Sequence, residues 1–167
     1  MIEKNEQGNE EALKTLKKII EHADVAMLVS IGVDGKLVSR PMQLQKVEFD
    51  GDIWFLTRTD TDKYEDIKRD NKVNVVIAEK SYASISGTAE LVNDREKIKE
   101  FWNKSYEVLL GLEPDDPRLT LIKIKADTAE YWATGSLVKS AYNFIKKVIG
   151  NEDQVAPGKN VNETLDL

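Results

Sequence analysis

The apolar residues of this chain recur with two different periods along the sequence. Near the start, Leu13, Leu16, Ile20 and Ala23 repeat at helical spacing, which predicts an amphipathic helix over residues 10–23. Shorter apolar or alternating runs then predict strands at residues 25–31, 37–49, 53–57, 73–78, 83–92, 119–125 and 129–133. The pattern therefore predicts a mostly β domain with peripheral helices.

Turn signals and breaks between these runs predict how the strands are connected. Asp34-Gly35 and Asp50-Gly51 are typical of hairpins, so the first three strands form an antiparallel meander. Six or seven antiparallel strands with short helices most simply close into a split β-barrel, although the pattern alone leaves an open α+β sheet possible. Further helices are predicted at residues 61–70, 93–111 and 136–149, within one domain of residues 1–150 followed by a polar tail of residues 151–167.

Composition excludes several kinds of site. The 167 residues include no cysteine and one histidine, so thiolate chemistry, zinc fingers and three-imidazole metal sites are ruled out. The 24 basic and 30 acidic side chains give a net charge of −6, which argues against a nucleic-acid partner. We identify no signal peptide, and the longest apolar run is too short to span a membrane, so the expected location is cytoplasmic.

Arg40 is the first residue that points to a ligand. On a strand it shares one face with Val38, Met42 and Leu44, so a guanidinium emerges from an apolar stripe. A buried arginine needs an anion, which can be a bound ligand or a carboxylate of the same chain. Both alternatives stay open on the sequence. Pro41 indicates an edge strand or a bulge at this point.

The second candidate is the start of the helix at Thr61. Backbone amides at a helix N-terminus, with Lys63 in the first turn, suit a phosphate, but ordinary capping explains the same residues. No GxGxxG or GxxxxGK loop is present, and the one histidine, His22, has no serine linked to it as a triad. The sequence identifies no catalytic residue.

Five short motifs, taken in order, resemble the pyridoxamine 5′-phosphate oxidase-like, FMN-binding split-barrel family, and in particular its general stress proteins. The motifs are Ser39-Arg40-Pro41-Met42, Ile53-Trp54-Phe55-Leu56-Thr57, Thr61-Asp62-Lys63, Ser86-Gly87-Thr88-Ala89 and Glu130-Tyr131-Trp132. The resemblance implies a split-barrel homodimer with FMN at the subunit interface.

The resemblance also implies which residues hold the cofactor. Arg40 would contact the flavin phosphate or ribityl chain, Lys63 the phosphate, and the strand around Met42 would pass the isoalloxazine ring. Thr57 would hold the cofactor at a strand end, and Trp132 would reach it from the other subunit. The implied cofactor-binding residues are Ser39, Arg40, Pro41, Met42, Phe55, Leu56, Thr57, Thr61, Lys63 and Trp132.

Three departures from the oxidases bear on activity. Gln45 stands where the oxidases carry a substrate-binding lysine, the helix at residues 101–106 lacks their Tyr, Arg and Ser set, and residues 133–137 replace their Arg-Leu-His stretch. We therefore expect FMN binding without pyridoxamine phosphate oxidation. The resemblance implies a flavin-dependent oxidoreductase of unassigned substrate. The alternatives are a non-catalytic flavin-binding general stress protein, a deazaflavin or haem variant, and an interaction module without cofactor.

Overall fold

A computed structural model describes the backbone of residues 2–133 and 161–167 and the side chains of residues 10–133 and 165–167. These residues form four helices and seven strands. In chain order they are α1 (Ile2–His22), β1 (Val25–Ile31), β2 (Leu37–Gln43), β3 (Asp52–Arg58), α2 (Asp62–Arg69), β4 (Lys72–Ala78), β5 (Tyr82–Val92), α3 (Arg95–Phe101), α4 (Lys104–Leu110), β6 (Leu119–Ala133) and β7 (Val161–Asp166). The helix predicted at residues 136–149 lies outside the described residues.

All seven strands belong to one antiparallel sheet with the order β2-β1-β4-β5-β6-β3, and β7 pairs with β6 beside this path. The two ends of that order, β2 and β3, contact each other, but no ladder joins them. The sheet is thus curled and not closed, as in a split barrel. The prediction of a mostly β, antiparallel split-barrel fold is confirmed.

One of the two predicted hairpins is present, although both glycines adopt the turn conformation. Gly35 and Gly51 both have positive φ values, 78° and 107°, which glycine adopts without the clash that a Cβ would cause. At the first turn, Asp34 Oδ1 also accepts a hydrogen bond of 3.1 Å from the backbone N–H of Lys36. The Asp34-Gly35 pair correctly identified the β1–β2 hairpin. The predicted meander is wrong at its third strand, because β3 pairs with β6 and not with β2, which ends at Gln43 and not at residue 49.

β6 is one continuous strand of 15 residues, where the pattern predicted two shorter strands. The exposed residues Asp127 and Thr128 interrupt the apolar alternation, which explains the wrong prediction. The ladder tolerates the interruption because the register between β5 and β6 shifts at Ser86 and Gly87, as in a β-bulge.

Part of the predicted polar tail belongs to the sheet. Val161–Asp166 pairs with Thr128–Ala133 of β6, and the Leu165 side chain is buried in the main core. The prediction of a tail throughout residues 151–167 is wrong at this strand. This short segment has too few apolar residues to predict a strand from the sequence. It forms a strand because it pairs with the edge of β6 that it covers.

The predicted helix after residue 93 is two helices. Trp102 has extended backbone angles and ends α3, and Asn103 caps α4 by accepting from the Ser105 N–H at 2.9 Å. The predicted capping residue Asn93 is also wrong by one position. Asp94 caps α3, since its carboxylate accepts from the N–H groups of Glu96 and Lys97.

Two apolar cores flank the sheet. The main core fills the barrel and includes Leu16 of α1, Leu28 and Phe55. A second core lies between α3, α4 and the other face of β3 and β6, and includes Ile98 and Leu121. This second core places the N-terminus of α4 beside the end of β2. Among the helices described, none combines the length and the apolar character required to cross a bilayer.

Candidate functional site

Arg40 lies on the inner face of β2, as predicted. It stands directly opposite the buried Leu28 of β1, and residues opposite each other in an antiparallel pair share a face. Its Nη1 donates to Ser30 Oγ and its Nη2 donates to Asp66 Oδ2, both at 3.0 Å. The carboxylate alternative left open by the sequence is therefore realised. These two bonds use two of the five N–H groups of the guanidinium.

Asp66 anchors this arginine from helix α2. Its other oxygen, Oδ1, accepts from Arg69 Nη2 at 3.0 Å, and the same Arg69 nitrogen donates to the Ile31 carbonyl at 3.2 Å. Burial of Asp66 acts to raise its pKa, but the hydrogen bonds and charges of Arg69 and Arg40 outweigh burial and hold the pKa below its ordinary value. The network connects α2 to the end of β1 and the middle of β2.

Lys63, in the first turn of α2, is a partly buried cation. Its Nζ donates to Met42 Sδ at 3.1 Å, and no carboxylate of the described residues lies within ion-pair distance of it. Burial, followed by repulsion from Arg40, lowers the pKa of Lys63 to about 8. The structure thus brings Arg40, Met42 and Lys63 together at the junction of β2 and α2, and an anion there would relieve the desolvation of the lysine.

The threonines at the end of β3 and the start of α2 differ in their hydrogen bonding. Thr57 is fully buried, and its Oγ1 has no hydrogen-bond partner in the part of the chain that is described. Thr61 caps α2, since its Oγ1 donates to the Arg58 carbonyl at 3.0 Å and accepts weakly from the Tyr64 N–H at 3.4 Å. The ordinary capping alternative is therefore realised at Thr61, whereas the Thr57 hydroxyl has an unused hydrogen-bonding capacity.

Phe55 and Leu56 are both buried, so their side chains serve the cores. Phe55 packs in the main core and Leu56 in the second core, which follows from the alternation of a strand with apolar layers on both faces. Their backbone groups pair with Ile122 and Leu121 of β6. The place of Phe55 and Leu56 at the cofactor stays a prediction.

Ser39, Pro41 and Trp132 lie on the outer face of the sheet. The inner row that begins with Arg40 passes through Leu28, Val75 and Ile85 to Ala129, and Trp132 is three residues beyond Ala129 on the same strand. Its side chain therefore has the opposite orientation to the Arg40 row. One copy of the chain does not bring Trp132 to the site that contains Arg40 and Lys63.

The outer face around Trp132 is rich in apolar side chains. Its members from β1, β2, β4 and β5 are Met27, Val29, Ile31, Leu37, Pro41, Val76 and Tyr82. All of them are partly or largely exposed in the single chain, and Leu37 and Tyr82 are the most exposed of the large apolar side chains among them. A contiguous apolar patch of this kind is typical of an interaction surface.

The end of β2 contacts α4 through uncharged groups. The Gln45 amide donates to the buried Tyr106 hydroxyl, and the Ser105 hydroxyl lies 3.4 Å from Gln43 Oε1. Burial raises the pKa of Tyr106, so its hydroxyl stays protonated at neutral pH. Gln45, which stands where the oxidases of the resembling family carry a lysine, therefore already has a hydrogen-bonding partner.

Sequence reasoning missed Ser30, Asp66 and Arg69. Ser30 gave a usable signal, since it is a polar residue inside the otherwise apolar strand β1. Asp66 lies three residues after Lys63, on the same side of α2, but nothing in the sequence pairs it with Arg40, 26 residues away. No group of His, Asp or Glu side chains in the described part of the chain is arranged to hold a metal ion.

Comparisons with known proteins agree with this fold and these motifs. A sequence model of the family described as pyridoxamine 5′-phosphate oxidase like matches residues 11–154. Protein bli-3 of Neurospora crassa is 32% identical over 137 residues, which cover 75% of this chain and 63% of bli-3. The chain thus spans less than two thirds of the length of that relative.

Solved structures from two bacteria are also similar. General stress protein 26 of Bacillus anthracis str. Sterne is 29% identical with a TM-score of 0.64, covering 71% of this chain and 91% of that protein. A Clostridium acetobutylicum protein related to general stress protein 26, of the pyridoxinephosphate oxidase family, has a TM-score of 0.64 at 20% identity, covering 90% of this chain and 92% of that protein, and shows the fold alone. With most of its length matched by the family model, the chain belongs to the pyridoxamine 5′-phosphate oxidase-like family.

Proposed function

We propose that the chain binds FMN where β2, α2 and the end of β3 meet, and that it is a flavin-dependent oxidoreductase whose substrate is not a pyridoxine or pyridoxamine phosphate. The observation that carries the proposal is Lys63, a partly buried ammonium group without a carboxylate partner among the described residues. A phosphate monoester supplies the missing negative charge.

Charge at the site supports a phosphate. Arg40 and Arg69 share the single carboxylate of Asp66, so these three groups together keep one positive charge, and Lys63 adds a second when protonated. A phosphate monoester carries close to two negative charges at neutral pH. The N–H groups of Arg40 that bind neither Ser30 nor Asp66 are available to its oxygens.

Thr57 and Met42 extend the proposed site beyond the phosphate. Thr57 has a buried hydroxyl without a partner among the described residues, and such a group costs stability until a ligand or water satisfies it. Met42 is buried beside Lys63 and offers an apolar, adaptable surface for a flat ring. In the proposed complex, Lys63 and Arg40 would hold the phosphate, Thr57 the polar chain and Met42 the ring of a flavin mononucleotide.

The apolar outer face of the sheet supports a homodimer. A second copy of the chain is the occupant that its family membership favours, and it would cover the patch that contains Met27, Val76 and Tyr82. The same association would bring Trp132 of one subunit toward the cofactor of the other. Ser39 and Pro41, on the outer face of β2, would then lie at the interface.

FMN, when bound, supplies the redox chemistry, since its ring accepts and returns a hydride equivalent. The chain's own residues bind and orient it. Lys63 and Arg40 hold the phosphate, Thr57 offers one hydrogen bond, and Met42 and Leu44 exclude water from their side of the site. Hydride transfer to the flavin ring does not by itself require an acid or base of the chain.

The neutral end of β2 argues against a phosphorylated substrate. Gln45 donates to Tyr106 where a cation would be needed, and Lys46 is held by the Ala23 carbonyl and Asp24. The same pairing supports a second candidate function, a general stress protein that binds flavin without turnover, because it engages Gln45 with Tyr106 where the oxidases carry a substrate-binding lysine.

An absorbance spectrum after incubation with FMN and desalting tests the cofactor. We expect the two flavin bands to remain with the protein, and a colourless protein would refute FMN binding. Anaerobic addition of NADH or NADPH then separates the two candidates, because bleaching indicates an oxidoreductase and an unchanged spectrum indicates binding without turnover by these donors. Formation of pyridoxal phosphate from pyridoxamine phosphate would contradict the proposed substrate range.

A further inference from the structure

We propose that Asp66 is the positioning residue of the phosphate site. Through its ion pair with Arg40 it fixes the guanidinium beside Lys63, and in this way it determines how strongly the chain prefers a phosphorylated flavin to riboflavin. The inference rests on the proposed function, because it concerns the group that FMN has and riboflavin lacks.

The geometry shows that Arg40 is held at two points. Nη1 and Nη2 donate to Ser30 Oγ and Asp66 Oδ2, each at 3.0 Å, so both terminal nitrogens are anchored on different elements. Both acceptor residues are buried, with 1% of Ser30 and 6% of Asp66 exposed. A planar guanidinium anchored in this way presents its remaining N–H groups in one fixed direction.

Asp66 is itself held rigidly. Arg69 Nη2 donates to its free oxygen at 3.0 Å and to the Ile31 carbonyl at 3.2 Å, which ties the carboxylate to the end of β1. The carboxylate therefore has one orientation, and Arg40 takes its position from it. Lys63 lies one turn earlier on the same helix, so one short segment places both cations that the phosphate needs.

Electrostatics alone predicts the opposite effect of Asp66. A carboxylate near a phosphate repels it, so removal of this charge would tighten FMN binding if the position of Arg40 did not matter. Positioning predicts weaker binding of FMN, because Arg40 loses its anchor. The sign of the change in FMN affinity therefore distinguishes the two accounts.

The test is Asp66→Asn, with FMN and riboflavin titrated separately by flavin fluorescence. We expect the FMN dissociation constant to rise about tenfold or more, the scale for losing one charged hydrogen-bonding partner. The riboflavin dissociation constant should change less than about threefold, because riboflavin has no phosphate for Arg40 to bind. Asp66→Glu should recover part of the preference. Unchanged or tighter FMN binding, or an equal loss for both flavins, would overturn the inference.

Glu65→Gln is the matched control. It removes the same charge from the neighbouring, exposed position of α2 without touching Arg40, so we expect it to leave the ratio of the two dissociation constants unchanged. If Glu65→Gln and Asp66→Asn change that ratio equally, the effect is general electrostatics and the inference is wrong.

Ser30→Ala tests the same point if Asp66→Asn does not fold. It removes the second anchor of Arg40 and should lower the preference for FMN about threefold. No change in preference would contradict the inference. If the wild-type chain binds neither flavin, both the proposed function and the inference are refuted. If the wild type binds FMN but the variants keep the same preference for FMN over riboflavin, the inference alone is refuted.

Discussion

Lys63 Nζ lies 3.1 Å from the thioether sulfur of Met42, and this weak acceptor stands where a buried lysine usually has a carboxylate. The contact joins the first turn of α2 to the inner face of β2. It leaves the lysine's charge without an opposite charge on the described part of the chain, and three of the predictions below concern the site built around it.

Replacement of Lys63 by alanine should weaken FMN binding by about 1–3 kcal/mol, the range for loss of a charged hydrogen-bond donor. Isothermal titration of the purified variant with FMN measures it. Lys68→Ala is the matched control, since it removes the same charge from an exposed position of the same helix. Equal FMN affinity in wild type and Lys63→Ala would remove Lys63 from the phosphate site.

FMN affinity should fall as the pH rises through about 8, the pKa to which burial and Arg40 lower Lys63 in the ligand-free chain. The protonated lysine is the form that binds phosphate, so binding takes up a proton and the dissociation constant rises by up to about tenfold per pH unit above that pKa. The phosphate, with a second pKa of about 6, is already doubly charged there.

Titrations of wild type and Lys63→Met at several pH values check this dependence. The FMN affinity of the Lys63→Met variant should not change with pH. Riboflavin affinity should not change with pH in either protein, because riboflavin has no phosphate for Lys63 to bind. A wild-type profile that stays flat through about pH 9 would show that another group carries the phosphate affinity.

Thr57→Val should stabilise the ligand-free chain by about 1 kcal/mol and weaken FMN binding several-fold. The hydroxyl is buried and has no partner in the part of the chain that is described, so its removal relieves an unsatisfied group while it takes away a donor for the ligand. Thermal unfolding without FMN measures the gain in stability, and the further stabilisation by added FMN measures the loss of affinity. Thr120→Val is the control, since Thr120 stands directly opposite but donates to the Val92 carbonyl at 3.2 Å, and its loss should destabilise the chain.

Val76→Glu should convert the proposed dimer to a monomer and reduce flavin binding. Val76 lies within the apolar outer face, paired with Met27 and Ser84, so a carboxylate there would be desolvated on association. Sedimentation velocity measures the assembly. Val33→Glu, at a hairpin position that is 83% exposed, introduces the same charge and should leave the mass unchanged. A dimeric Val76→Glu protein would place the interface elsewhere.

Gly87→Ala should destabilise the fold by about 1–3 kcal/mol or more, because overpacking shifts backbone. A Cβ at Gly87 would lie 2.2 Å from the Lys125 carbonyl oxygen of β6, at the bulge between the two longest strands. Urea unfolding measures the change. Gly32→Ala, whose nearest contact would be 3.3 Å, should cost clearly less, and equal costs would show that the close approach is not the cause.

The sequence predicted what depends on local alternation and missed what depends on long-range contacts. Arg40 and Met42 were correctly placed on one face of a strand, because alternate residues of a strand share a face whatever the rest of the fold. Asp66 could not be predicted as the partner of Arg40, since the pair forms only when α2 packs on β1 and β2.

The same limit explains the errors in the secondary structure. β7 carries too few apolar residues to be recognised, and it is a strand because the edge of β6 receives it. The sequence could not indicate that the Thr57 hydroxyl has no partner among the described residues, because only the packed interior determines its surroundings.

β3 and β7 lie in tandem along the same edge of β6. β3 pairs with Leu119–Lys125 and β7 with Thr128–Ala133, and the junction is bridged by hydrogen bonds from Ala126 N to the Gly51 carbonyl and from Leu167 N to the Asp127 carbonyl. The longest strand of the sheet thus offers almost no open backbone on that side. An uncovered edge of this length would be a template for aggregation, so the small strand β7 protects the chain from pairing with unfolded copies of itself.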